Sequence, residues 1–352
     1  MRLPFASVSV CLAAGLSMAG AQTLLTLPEA SQRASVTQRL GVTDITITYH
    51  RPLVNGRKVW GGLVPYDQVW RAGANENTTI AFSDAVSVEG EMLPKGTYGL
   101  HMIPGTEQWT VIFSKNSSAW GSFTYKQDED ALRVKVKAQP SEMHEALTYD
   151  FEDLKADSAA IVMRWEKLAA PFRVSVNERE LTMASLRDQL RGGMQYTWEG
   201  WAEAANYSLA NKVDLEEGLK WANQAIGVEE RYDTLMLKVQ LLNALNRASD
   251  AAPLKKRALE MANAIQLYFY GRQLQLTDKK PEEAMVVFRQ TAQKYPDHWI
   301  GHMASARVNS AAGNYEQAAA DMKAALAAAP DQQKPGIANY VKRLEAKQDI
   351  NK

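Results

Sequence analysis

Three arginines and a glutamate, Arg51, Arg57, Arg71 and Glu76, fall within 26 residues of one another, among Trp60, Leu63, Val64, Tyr66 and Trp70. Charges in such apolar company are costly unless paired, so Arg71 with Glu76, or Arg51 with Glu76, is expected to meet. Gly61, Gly62 and Gly73 permit close backbone approach, and Asn75 can shape a turn through its own side chain. Two readings fit these residue types. One is a folded-back structural corner, which needs no ligand and is preferred. The other is a ligand cleft walled by Arg51, Arg57, Tyr66, Trp70, Arg71, Asn75 and Glu76, joined by His101 from "YGLHMIPG". His101 is out of phase with Tyr98, Leu100 and Met102, so it is expected on the outer face of its strand or in a cleft.

Two further spacings could do chemistry. His298 and His302 lie four apart on an expected helix, one face for two imidazoles. A zinc site needs a third ligand, none is evident nearby, and Asp297 is the expected N-cap, so the ordinary helical reading is preferred. Asp150 and Glu152 lie two apart on an expected strand, about 6–7 Å between carboxylates, a spacing that brackets glycosidase pairs. A solvated strand face, with Tyr149 and Phe151 turned inward, accounts for them equally and is preferred. Nucleophile-elbow, zinc-protease, Ser-x-x-Lys and phosphate-loop patterns are absent, which counts against the commoner hydrolases. No metal site and no cofactor is expected.

The chain has 352 residues, 46% apolar and 23% charged, with a formal net charge of zero. That length predicts two domains, and that charge offers no footprint for nucleic acid. Arg2, the apolar run Val8–Leu16 and Ala19-Gly20-Ala21 read as a signal peptide, residues 1–21, with the mature chain beginning at Gln22. The apolar run is too short to span a membrane, so no integral membrane segment is expected after cleavage, and the destination is the periplasm or the exterior. The single cysteine, Cys11, falls inside the signal segment, which leaves the mature chain without disulfides or thiol chemistry.

The elements that must position these groups change character along the chain. Short period-two runs such as "DITITYH", "TTIAF", "WTVIFS", "LTYDFEDL", "AAIVMRW" and "FRVSV" are separated by turn signals such as Asn55-Gly56. They predict an all-β antiparallel sandwich or barrel domain over residues 22–177. "ERELTMASLRDQL" predicts a connecting helix or linker over 178–195, and helices fill 196–352. "EEAMVVFRQTAQKYP" and "EQAAADMKAALAAAP" share a pattern 34 residues apart: Ala284 with Ala318, Phe288 with Met322, Pro296 with Pro330. That period resembles tetratricopeptide repeats. "DLEEGLKWANQAI", with Gly218 at the small position, is a looser copy, "APLKKRALEMANAI" a further second helix, and "GIANYVKRLEAK" the terminal cap.

The run "ITYHRPLVNGRKVWGGLVPYDQVWRAGANENTTIAFS", followed by "LPKGTYGLHMIPG" and "YDFEDL", resembles an exported bacterial family known only as a domain of unknown function, DUF2911, over about Ser31–Val176. The resemblance implies a β domain and export, and it implies no activity. The expected function is an exported, non-enzymatic binding or scaffold protein whose helical repeats take a protein or peptide partner. The alternative is an exported hydrolase with a cleft lined by Arg51, Arg71, Asn75 and Glu76.

Overall fold

A computed structural model describes residues 28–352, so the expected signal segment and Cys11 lie outside the described residues. Contacts divide the chain into two units at Glu178. The first is built of antiparallel strands: β1 (Gln32–Leu40), β2 (Thr43–Arg51), β3 (Thr79–Phe82), β4 (Val86–Val88), β5 (Glu91–Leu93), β6 (Gly96–Ile103), β7 (Trp109–Ser114), β8 (Asp130–Val136), β9 (Gln139–Glu152) and β10 (Ser158–Ser175). One sheet runs β1-β2-β3-β6-β7-β8 and the other β5-β4-β10-β9. Alternation decides which face is inside: Ile45, Ile47 and Tyr49 of β2 are buried, while Thr46 and Thr48 point outward. The inner faces meet through aromatic rings, Tyr49 edge-on to Tyr149 at 4.8 Å and Phe113 to Phe172 at 6.0 Å. Each such pair contributes about 0.5–1.5 kcal/mol beyond the area it buries.

"AAIVMRW" and "FRVSV", expected as two strands, are one. β10 is continuous because it absorbs two register shifts around Glu166, where φ is 56°. Such bulges bend a long strand without ending its pairing with β9.

The stretch between β2 and β3 folds back onto the sandwich. Trp60 packs edge-on against Trp109 at 4.8 Å and against Trp70 and Trp165 at 5.8 Å, and Trp70 stacks on Trp165. Beyond β2 the chain crosses to the second sheet: Val54 N–H donates to Glu145 O at 2.8 Å and Leu147 N–H to Pro52 O at 3.1 Å. The Asn55-Gly56 turn that follows has positive φ at both residues.

The second unit is helical: α1 (Glu178–Gln189), α2 (Trp198–Asn211), α3 (Leu215–Val228), α4 (Tyr232–Ala244), α5 (Ala248–Met261), α6 (Ala264–Leu276), α7 (Pro281–Lys294), α8 (Trp299–Ala311), α9 (Tyr315–Ala328) and α10 (Lys334–Glu345). From α2 onward the helices form consecutive pairs closed by α10, a tetratricopeptide-like array. First helices begin at Trp198, Tyr232, Ala264, Trp299 and Lys334, a repeat of 32 to 35 residues. Ala284 and Phe288 of α7 are fully buried, as are Ala318 and Met322 of α9. The expected second helix "APLKKRALEMANAI" ends earlier, at Met261, because Asn263 caps α6 through a reciprocal bond with Gln266. Met183 of α1 and Leu190 just after it share a core with Leu219 and Leu237. No helix among the described residues is long and apolar enough to cross a membrane.

Candidate functional site

The outward phase of β2 places Thr48 and His50 on the solvent side of the six-stranded sheet, and loops raise walls around them. The resulting cleft has a volume of about 750 Å³ and is bordered by Arg33, Thr48, His50, Glu76, Asn77 and Ser118. Gly73 allows one wall to form, since a Cβ there would stand 2.5 Å from Thr78 Oγ1 and 3.2 Å from the His50 carbonyl. Thr78 Oγ1 and Tyr149 Oη both donate to the Ala72 carbonyl, at 3.1 and 2.9 Å, and hold the loop down. The second wall is tied on by Asn77, whose N–H donates to Ala119 O and whose Nδ2 donates to Asn116 O, both at 3.3 Å.

At the floor His50, 6% exposed, presents Nε2 to two carboxylates, 3.1 Å from Glu29 Oε2 and 3.3 Å from Glu76 Oε2. Asn75 Nδ2 donates to the same Glu29 oxygen at 3.0 Å. Glu29, His50 and Glu76 thus offer three ligand-type atoms within 4.8 Å of one another. No metal site is expected from sequence, and this grouping is a product of the fold.

Of the residues expected in a cleft, Glu76 lines this one and Asn75 touches it through Glu29. The others are placed elsewhere. Arg51 Nε donates to Leu147 O at 3.0 Å and braces the crossing between sheets. Arg57 turns back on the carbonyls of Leu53 and Val54. Tyr66 lies over Gly61 on the surface, and Trp70 donates from Nε1 to Gly73 O at 3.1 Å within the tryptophan cluster. The expected Arg71–Glu76 ion pair does not form, and neither does Arg51–Glu76, because Glu76 turns to His50. The Arg71 guanidinium lies over Trp120 and Phe123, 5.5 and 5.9 Å from the ring centroids, and its buried Nε has no hydrogen-bond partner among the described residues. Burial lowers its pKa, with the field of Glu76 opposing. The hydrolase alternative therefore keeps two of its four residues in one place.

His101, expected exposed or in a cleft, is 2% exposed. It does lie on the outer face of β6, but the loop between β7 and β8 covers that face, with Ser122 Oγ 3.0 Å from Nδ1 and the Tyr125 ring edge-on at 5.4 Å. Asp150 and Glu152 behave as a solvated strand face: Asp150 accepts from Phe151 N–H, and Glu152 pairs with Arg164 at 2.7 Å. His298, not Asp297, is the N-cap of α8, accepting from Ile300 N–H at 3.1 Å.

In the helical unit the first helices of successive pairs line a groove. Along α6, Ile265, Phe269, Arg272 and Leu276 form a stripe at helical spacing that is largely exposed, Phe269 at 64%. They face Trp299 and Tyr340 across a cavity of about 550 Å³. Gln273 also borders a second cavity of about 640 Å³ whose walls include Trp198, Glu199, Glu203, Asp233 and Gln240. Arg272 donates from Nη1 to Gln275 Oε1 and makes no ion pair among the described residues; burial and then Arg307 lower its pKa.

The β domain matches a family of unknown function. Residues 31–174 fit the model described as "Protein of unknown function (DUF2911)". Among solved structures, the crystal structure of YrrB, a TPR protein with an unusual peptide-binding site, is similar over 47% of this chain and 84% of its own, at 19% identity and a TM-score of 0.28. No curated protein matches. The DUF2911 match takes in His50 and Glu76, whereas Glu29 stands just before it.

Sequence reasoning missed His50, Glu29 and Asn77. His50 carried a signal, being out of phase with Ile45, Ile47 and Tyr49 at the end of an otherwise threonine-lined face. Glu29 carried none, since it precedes the first strand and belongs to no pattern.

Proposed function

We propose that this chain is an exported binding protein that holds an extended peptide or protein segment along the first helices of its repeat array. The observation that carries the reading is the exposed stripe Ile265–Phe269–Arg272–Leu276 on α6. An exposed phenylalanine flanked by aliphatics, beside an arginine with no carboxylate, is a poor surface for water alone. It suits a segment that presents an apolar side chain and a nearby carboxylate on one side. The acidic residues Glu199 and Glu203 at the other end of the groove, beside Asp233, which Arg231 already engages, suit a basic residue further along the same segment. Stacked helix pairs present extended surfaces of this kind.

The binding reading is tested by selecting displayed peptides on the purified full chain and measuring affinities of the enriched sequences. Phe269→Ala and Arg272→Ala are each expected to weaken binding by at least about tenfold, as central anchors do. Peptides that bind both variants as tightly as wild type would place the site elsewhere. Export rests on the Arg2 region, the short apolar run and Ala19-Gly20-Ala21, and is tested by sequencing the N-terminus of protein recovered from the native host. The expected first residue is Gln22; a cytosolic chain retaining Met1 or Arg2 overturns it.

A further inference from the structure

We propose that Glu29, His50 and Glu76 bind a first-row divalent transition-metal ion, with its remaining coordination positions open to the cleft of the β domain. The donor set comes first. One imidazole and two carboxylates suit zinc and its neighbours in the row, and two carboxylate charges balance a divalent ion. Magnesium and calcium prefer all-oxygen sets, so the imidazole argues against them.

The spacing agrees. His50 Nε2 is 3.1 Å from one carboxylate oxygen and 3.3 Å from the other. Ligand atoms held tetrahedrally at about 2.0–2.2 Å from zinc stand roughly 3.3–3.5 Å apart, close to both imidazole–carboxylate distances, and the two carboxylate oxygens, within 4.8 Å of each other, lie on flexible side chains that can draw together. Without a cation, Nε2 can offer one proton to two acceptors. Asn75 supplies a second donor to Glu29, but among the described residues the Glu76 oxygen facing His50 has no donor besides that imidazole. Two carboxylate oxygens converging on one imidazole nitrogen form a natural seat for a cation.

The ligands are also positioned. His50 is fixed by strand pairing opposite Arg33 and is buried to its ring nitrogen. Asn75, in the left-handed region at φ 55°, reaches from Glu29 to the Ser31 carbonyl and orients that carboxylate from outside the ligand set. Glu76 follows directly and is held by the Asn77 backbone bond to Ala119. A further polar group lies beside the cluster. Asn77 lines the same cleft, is 7% exposed, and its buried Oδ1 has no hydrogen-bond partner among the described residues. Arg33 on the cleft wall favours an anionic oxygen group at the open metal positions.

The test strips the purified full chain with EDTA and titrates it with Zn²⁺ in competition with a chromogenic chelator, using Mg²⁺ as comparison. Wild type is expected to take up a single equivalent of Zn²⁺ in preference to Mg²⁺. His50→Gln and Glu76→Gln should each weaken binding by more than about 100-fold, beyond the roughly 10–100-fold that follows loss of an outer partner, which is the effect expected for Asn75→Ala. Glu152→Gln, outside the cluster, should bind as wild type does. Circular dichroism checks the fold of each variant. If His50→Gln does not fold, Glu76→Gln decides alone, since that residue is exposed and lies off the strands. Absence of stoichiometric Zn²⁺ in wild type, or wild-type affinity in Glu76→Gln, overturns the proposal.

Discussion

The guanidinium of Arg71 lies 5.5 Å from the centroid of the Trp120 ring, with its Nε buried and unpaired. A cation over an aromatic face contributes about 0.5–2 kcal/mol, and a buried unsatisfied N–H costs about 1–3 kcal/mol. The two nearly cancel. Arg71→Met keeps the stem that packs on the rings and removes the orphaned donor, so its melting temperature should equal or exceed that of wild type. A loss above about 2 kcal/mol would reveal a partner for Arg71 that the geometry does not contain. Glu76→Ala should likewise cost little, since the residue is exposed and its one ion-pair contact among the described residues is with His50.

Arg307 is the opposite case. It is 1% exposed, donating from Nε to Tyr268 Oη at 2.6 Å and from Nη1 to Ile350 O at 2.9 Å. Rings of Tyr340, Tyr268 and Phe288 surround it. Arg307→Ala strands two buried polar groups at about 1–3 kcal/mol each and leaves a void, so a loss of about 3–5 kcal/mol is expected in urea melts followed at 222 nm. Arg307→Met fills most of the volume and should recover part of that. If both variants unfold at the same urea concentration as wild type, the buried bonds contribute nothing.

What the sequence made legible and what it hid divide along physical lines. The repeat could be read because helix pairs bury small and large residues at fixed intervals, so Ala284 and Ala318 announce each other. The sandwich could be read because Ile45, Ile47 and Tyr49 alternate with threonines. The cleft could not, because its parts come from unrelated places: Glu29 ahead of β1, His50 at the end of β2, Glu76 in a long loop. The partner of Arg71 was hidden for the same reason. Pairing arguments within one stretch favoured Glu76, whereas an aromatic loop from between β7 and β8 took the cation. Phase placed His101 on the outer face correctly, but phase says nothing about which loop lies over that face.

Close helix crossing gives a test of the repeat packing. Gly271 of α6 faces α7 so tightly that a Cβ would stand 2.6 Å from the Phe288 ring, which is fully buried. Gly271→Ala gains helix propensity of about 1 kcal/mol but forces the ring aside, and overpacking of this kind costs about 1–3 kcal/mol. Net destabilisation is expected in the 222 nm melt, and Phe288→Leu in the same chain should relieve part of it. An alanine variant more stable than wild type would mean the ring yields freely. Ala318→Trp on α9 should cost at least as much, because that position is equally buried.

Burial of His101 makes the stability of the β domain depend on pH. Its imidazole is pushed down to about 4 by desolvation, with the field of Asp130 opposing. The groups facing it are Ser122, Tyr125 and the Asp130–Arg133 pair to which Tyr125 is bonded. In the unfolded chain the same ring titrates near 6.5, so between about 6.5 and 4 the unfolded state binds more protons than the folded one. Stability therefore rises with pH across that window. The contribution is fully present above about 6.5, is lost as pH falls, and levels off below about 4. A gap of roughly 2.5 units corresponds to about 3 kcal/mol at most. Thermal melts followed by tryptophan fluorescence from pH 7.5 to 4.5 should show the decline in wild type. His101→Gln, which keeps a partner for Ser122 but cannot titrate, should show a shallower one. Carboxylates contribute equally to both proteins, so the difference between the two slopes isolates His101, and superimposable slopes would mean that the ring takes up its proton in the folded state as readily as in the unfolded chain.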